Sequence, residues 1–200
     1  MSAEHDEGLN WSAMRFEPLA SRPSKVQLCH LGRPVGPDAT IDDWLEALPD
    51  QLGARDLCAL RDAILNAHQT RRPILAGMGG HVVKTGCGPY LIDWIRRGVL
   101  TGLALNGSAA IHDLELAIAG HTSEDVGPRL ADGSFGFAQE TSALFAEACR
   151  RAAERGIGLG AALGALVAET GGPGLDSSLL VAAHRAGDGG ELALSRPERG

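Results

Sequence analysis

Residues 73–120 read PILAGMGGHVVKTGCGPYLIDWIRRGVLTGLALNGSAAIHDLELAIAG, and their punctuation sets the fold class. An apolar run at 74–76 breaks into glycines at Gly77, Gly79 and Gly80. A helical pattern follows. A second apolar run at 99–105 then breaks at Asn106 and Gly107, and another helix begins near Ala109. Strand, loop, helix, strand, loop, helix is the rhythm of a parallel βαβ sheet. The expectation is an α/β fold, a parallel sheet flanked by helices. The uninterrupted apolar run at 99–105 predicts a strand covered on both faces.

Ligands bind such sheets beyond the carboxyl ends of the strands. Both loops fall there, and both are built from Gly, Ser, Thr, Asn, His and Lys. Glycine lets backbone approach a ligand closely. A helix N-terminus presents free N–H groups and the positive end of a dipole, which suits phosphate. Gly79-Gly80-His81 and Asn106-Gly107-Ser108 are therefore candidates to cradle two parts of one nucleotide. No strict G-x-G-x-x-G occurs, and no Gly-Lys-Ser/Thr of a P-loop. The same glycines also suit tight turns, and spacing alone leaves both readings open.

Composition narrows the classes. A chain of 200 residues is long enough for one domain with a real core. Aromatics are only 4%, so that core must be aliphatic. A net charge of -7 argues against nonspecific nucleic-acid binding and is compatible with a cationic substrate. Only Lys25 and Lys84 are lysines among 18 basic residues, which singles out Lys84 inside the first loop. It meets a phosphate as a point charge or serves as an exposed solubilising residue. Cys29, Cys58, Cys87 and Cys149 are widely spaced, which predicts reduced thiols. No apolar run approaches a membrane span, and the acidic start MSAEHDEGLNW is no signal peptide, so a cytoplasmic protein is expected. His81 and His121 lack an H-x-x-x-H spacing or a close carboxylate set, so no metal site is expected.

In chain order, residues 1–36 form an arm without periodicity, and 37–187 form the α/β domain. An irregular tail occupies 188–200, with 191–194 as one possible strand. Thr40 with Asp43 nears a capping box, with Ile41, Trp44, Leu45 and Leu48 on the apolar face that follows. A second helix is predicted at 54–68, with Leu57, Leu60, Ile64 and Leu65 on one face. Val82 and Val83 read as a strand extension or as loop. Further helices are expected after Gly88-Pro89, at 109–119, at 137–155 and at 158–170. The last is Gly- and Ala-rich and suits close packing, including against a second subunit. Asp176 is expected to cap a helix through Ala186.

His112-Asp113-x-Glu115 lies in the first turn of the 109–119 helix. Acidic side chains there suit the helix dipole. The alternative is chemical: His112 takes or gives a proton at a substrate amine.

At these two loops the chain resembles deoxyhypusine synthase, and more closely its bacterial deoxyhypusine synthase-like relatives. The pieces that carry the likeness are GHVVKTGCGPYLIDWIRRG, LALNGSAAIHDLELAIAGHTSEDV, LADGSFGFAQET and SSLLVAAHRAG, spanning about residues 70–187. The resemblance implies a Rossmann-like NAD-binding domain in a homotetramer with active sites shared between subunits. The small-residue helix, the apolar residues of the arm and an incomplete sheet edge themselves predict a homo-oligomer, dimer or tetramer. It implies an NAD-dependent transferase that moves an aminobutyl group from a polyamine such as spermidine, through an imine, to an amine acceptor. By the same resemblance Gly80, His81, Thr85 and Gly86 occupy the first nucleotide loop, and Lys84 among them is read as cofactor-binding from the glycines that flank it. Asn106, Gly107 and Ser108 occupy the second. His112 stands where the family has a carboxylate close to the cofactor, and Asp113 retains one, so these two are the catalytic candidates. Ser123, Glu124 and Asp125 either line a polyamine site or form a helix cap. The family carries a nucleophilic lysine near its C-terminus, whereas no lysine follows Lys84 here. The expectation is a C-terminally shortened member, in which transfer through an enzyme lysine is not expected. The alternative is an inactive homologue that serves as a nucleotide-binding or oligomerisation subunit.

Overall fold

The computed structural model describes residues 11–136 and 138–188. The strand expected at 191–194, the tail and Phe137 lie outside them. Contacts divide the chain into two units, Met1–Arg61 and Asp62–Gly200. This boundary falls inside a helix, later than the break after residue 36 read from the prolines.

The first unit holds α1 (Ile41–Ala47) and the start of α2 (Leu52–Gln69). Thr40 caps α1 reciprocally with Asp43. The Asp43 N–H donates to Thr40 Oγ1 at 3.1 Å, and the Thr40 N–H donates to Asp43 Oδ2 at 2.8 Å. Aspartate thus completes the box usually closed by glutamate. The Arg33 N–H donates to the Ala47 carbonyl, and the Asp50 N–H to that of His30, which folds the arm back on α1. No residue of α2 is buried, and Leu57, Leu60 and Leu65 of its predicted apolar face stay exposed.

The second unit is mixed α/β and mostly helical. It contains β1 (Leu75–Met78), α3 (Gly80–Lys84), α4 (Gly88–Arg96), β2 (Gly102–Leu105) and α5 (Gly107–Ala119). Then come α6 (Val126–Asp132), α7 (Gln139–Arg155), α8 (Leu159–Thr170) and α9 (Leu179–Asp188). Among the described residues the sheet has two strands, β1 and β2, paired in parallel with Leu75 opposite Gly102 and Met78 opposite Leu105. Val82 and Val83 fall in α3, neither strand nor loop.

The second strand is shorter than its apolar run. The Val99 and Leu100 N–H groups turn back to the Trp94 carbonyl and close α4, so hydrogen bonding to the first strand starts only at Thr101, whose N–H donates to the Ile74 carbonyl. Alternation is also stronger than expected. Ile74, Ala76, Met78, Leu103 and Leu105 pack on one apolar cluster, while Leu75 is 67% exposed and Gly77 and Ala104 are open. One face of this small sheet is covered, not two.

Helix α5 joins both cores. Its Ala109 packs with Val83, Ile92, Ile95, Leu100, Leu179 and Ala182. Its Ala110, Leu114 and Ala117 pack with Ala148 of α7, Leu163, Leu166 and Val167 of α8, and Leu180 and Val181 of α9. The small face of α8 is therefore used inside this unit. Gly164 lies so close to α9 that a Cβ there would stand 2.7 Å from the Leu180 carbonyl oxygen. Arg151 of α7 ties that helix to α8 from outside, bonding Glu147 of α7 and Glu169 of α8.

The cap of α9 differs from the sequence reading. Asp176 sits in an exposed 3-10 turn, and the helix begins at Leu179. Its first turn is held by Asp113 of α5. That carboxylate accepts from Ser178 Oγ at 2.7 Å, from the Leu179 N–H at 2.7 Å and from the Leu180 N–H at 3.0 Å. Asp113 is only 1% exposed. Burial pushes its carboxyl above the ordinary value of 3.8, against the pull of these three donors.

Asp113→Ala leaves two buried helix N–H groups and the Ser178 hydroxyl without their acceptor. We expect a loss of about 2–4 kcal/mol of stability in urea unfolding. Asp176→Ala, at an exposed ion pair with Arg185, should change stability by no more than about 0.5 kcal/mol. A raised native pKa means that the folded state binds this proton more tightly than the unfolded chain. The stability difference between wild type and Asp113→Ala should be fully present below pH 3.8. It should shrink as pH rises through the folded-state pKa.

Candidate functional site

The two glycine loops meet because β1 and β2 are in register. The Asn106 N–H donates to the Met78 carbonyl at 3.3 Å, so both chains leave the sheet side by side. Asn106 caps α5, its Oδ1 accepting from the Ala109 N–H at 2.9 Å. A Cβ on Gly79 would stand 3.3 Å from Asn106 Nδ2. Gly80 is buried against the first turn of α5, where a Cβ would collide with Ser108 Oγ and the His112 ring. Only glycine permits this approach.

The rest of the rim is open. His81, Lys84, Thr85, Gly86, Asn106, Gly107 and Ser108 are all exposed. Gly86 turns at φ 83, in the left-handed region that suits glycine. A Cβ on Gly107 would meet nothing within 4 Å. With the Ala109 N–H bonded to Asn106, the N–H groups of Gly107 and Ser108 remain at the head of α5, and the helix itself supplies them no acceptor. A cavity of about 380 Å³ opens beside this helix start. Asn106 and Gly107 border it, with Leu103, Leu105, Phe145, Leu163, Leu180 and His184 among its walls. That is the small end of the range for ligand pockets.

The predicted catalytic pair separates. Asp113 points to α9, away from the loops, and both its oxygens are engaged in the cap described above. His112 lies on another face of α5 and is partly buried. Its Nδ1 stands 2.8 Å from Thr122 Oγ1. Thr122 also donates to Glu115 Oε2, and Thr141 of α7 donates to Glu115 Oε1 at 3.1 Å. Ser123, at φ 63, occupies the left-handed region uncommon outside glycine. Thr122 before it engages His112 and Glu115, while Glu124 after it engages the Gly136 N–H.

Glu124 and Asp125 hold structure of their own. Glu124 accepts from the Gly136 N–H at 2.6 Å and stands 3.8 Å from Arg129. Asp125 caps α6 through the Gly127 N–H. The sequence reading gave Glu115, Thr122 and Thr141 no site role. A local signal existed for one of them, since His112 and Glu115 are three residues apart and share a helix face, whereas Asp113 is rotated away.

Burial lowers the His112 pKa from its ordinary 6.5, the positive charge of Lys84 lowers it further, and Glu115 opposes both. The neutral imidazole is thus favoured beside the loops. Among the described residues no three His, Cys, Asp or Glu side chains converge as metal ligands, and no helix is long and apolar enough to cross a membrane. No family model, curated protein or solved structure matches the chain.

The charge arrangement makes a directional prediction. Lys84→Ala should raise the His112 pKa, and Glu115→Gln should lower it further, read from ring-proton shifts in an NMR titration. An unmoved value in Lys84→Ala would show that the ammonium does not act on this ring. Native His112 resists a proton that the unfolded side chain takes near 6.5. Its contribution to stability is therefore present above that value and is lost as pH falls through the native pKa.

Proposed function

We propose that this chain binds NAD at the paired loops and acts as a deoxyhypusine synthase-like transferase, moving an aminobutyl group from a polyamine such as spermidine to an amine acceptor. The observation that carries the binding reading is the convergence of two glycine loops at the start of α5, where the Asn106 cap takes the Ala109 N–H and leaves those of Gly107 and Ser108. Gly107 stands in open space there, and a cavity opens beside it. The backbone N–H groups of Gly107 and Ser108 suit a phosphate, with Lys84 as a mobile counter-charge. The cavity has room for one nucleoside-sized part of a dinucleotide and leaves the other part to the open loop around His81, Thr85 and Gly86. Bound NAD supplies hydride acceptance. The proton that leaves the amine nitrogen goes to neutral His112, and Gly80 keeps the ring pressed to the loop. The proposal includes a Rossmann-like sheet, a cytoplasmic setting and a homo-oligomer, dimer or tetramer.

One observation favours a second reading. Glu124 and Asp125 are engaged by their own backbone and by Arg129, so the acidic grip on a polyamine is not free as built. A nucleotide-binding subunit without transfer chemistry fits that arrangement.

Titration calorimetry with NAD tests the binding reading. Heat is expected for the wild type, whereas Gly107→Leu should keep its fold by circular dichroism and lose the heat. Folded wild-type protein that gives no heat overturns NAD binding. If NAD binds, incubation with spermidine separates the two readings. Release of 1,3-diaminopropane supports the transferase, and its absence supports the binding subunit. Light scattering coupled to size exclusion should give a multiple of the single-chain mass, and a monodisperse monomer rules out a shared active site.

A further inference from the structure

The polar cluster behind the loops has a direction. A carboxylate only accepts hydrogen bonds, so the hydroxyl shared by Thr122 and Glu115 must use its proton toward Glu115. Thr122 Oγ1 then faces His112 with lone pairs only. At 2.8 Å this contact is a hydrogen bond only if Nδ1 carries the proton. Neutral imidazole carries one N–H, so Nε2 is left as the acceptor. The ring edge that bears Nε2 also bears Cδ2, the atom that packs toward Gly80. Among the described residues no hydrogen bond is made by Nε2. Thr141 fixes the far oxygen of Glu115 and leaves the near one for Thr122.

We propose that Glu115, acting through Thr122, holds His112 as its Nδ1–H tautomer and aims Nε2 at the glycine loops as a proton acceptor. Thr122 and Glu115 are positioning residues and need touch no ligand. The same arrangement relays charge in the second half of a proton transfer. When Nε2 gains a proton the imidazolium donates from Nδ1 to Thr122, and Glu115 steadies the positive ring through the hydroxyl between them. Thr122 therefore stands in for the direct carboxylate contact that orients many histidine bases. Glu115 itself is 3.9 Å from Nδ1, beyond a hydrogen bond. This account explains two features left idle by the loop reading: the threonine at the start of the 122–125 segment and the one at the end of LADGSFGFAQET. Its chemical use rests on the proposed site, whereas the tautomer does not.

The test reads the ring directly. Protein labelled with ¹⁵N-histidine is examined by long-range ¹H–¹⁵N correlation at a pH where His112 is neutral, with His112→Gln to assign the signal. Wild type should show a protonated Nδ1 and a bare Nε2, the reverse of the preference of a free histidine side chain. Thr122→Val, which keeps shape and removes the hydroxyl, should shift the ring to the Nε2–H form. Thr122→Ser should restore the wild-type pattern. An Nε2–H ring in the wild type overturns the proposal, as does an unchanged Nδ1–H ring in folded Thr122→Val. Should Thr122→Val fail to fold, Glu115→Gln serves in its place: a mixed or reversed tautomer supports the relay, and an unchanged one refutes it. None of these measurements needs NAD or turnover. If the wild type proves active, Thr122→Val should lower kcat at least tenfold with KM nearly unchanged. If it proves inactive, the transferase reading falls and the tautomer result stands alone.

Discussion

A buried carboxylate reaching across from one helix to the start of another is the contact on which this fold turns. Asp113 gives both oxygens to the head of α9, taking up the Leu179 and Leu180 N–H groups and the Ser178 hydroxyl. Burying an anion is unfavourable, and burying unpaired helix N–H groups is unfavourable too. Each problem is the other's solution, and the positive end of the α9 dipole adds to the match. The bond ties α5 to α9. Both helices contribute to the two apolar clusters, so the position of α5 is set from both sides.

That placement governs the loops. With α5 fixed, its first turn presses on Gly80, and its N-terminal N–H groups point past Asn106 toward the open rim. The polar residues of α5 divide by helical angle. Asp113 faces the core and α9, whereas His112 and Glu115 face α3, α7 and the 122–125 segment. One helix therefore carries a buried carboxylate and a separate imidazole on different faces. The burial that makes Asp113 structural also keeps His112 neutral, since partial loss of water disfavours the imidazolium just as it disfavours the carboxylate.

The parallel pairing of β1 and β2 accounts for why the two loops are neighbours, although the sheet is small. Strand–glycine transitions in sequence placed both loops correctly at strand ends. The extent of the sheet was less legible. An apolar run reports what can be buried, not what pairs. Residues 99 and 100 were diverted to close α4, and Leu75 faces outward in spite of its hydrophobicity. The Gly/Ala pattern of α8 announced close packing but not the partner, which is α9 of the same chain through Gly164.

The sequence by itself determined what depends on near neighbours. The Thr40–Asp43 box, the Asn106 cap and the Gly120 stop, at φ 76, follow from residues one to four apart whose geometry the local backbone dictates. It also determined which residues share a face of α5, because helical spacing is fixed at 3.6 per turn. Only the tertiary structure decided which of them is buried in a helix cap and which lies beside the loops. Asp113 meets Ser178 across 65 residues, and Glu115 meets Thr141 across 26. Such partners are chosen by how α7, α8 and α9 pack on α5. That packing follows from volume and shape summed over the whole core, and no window of sequence contains it.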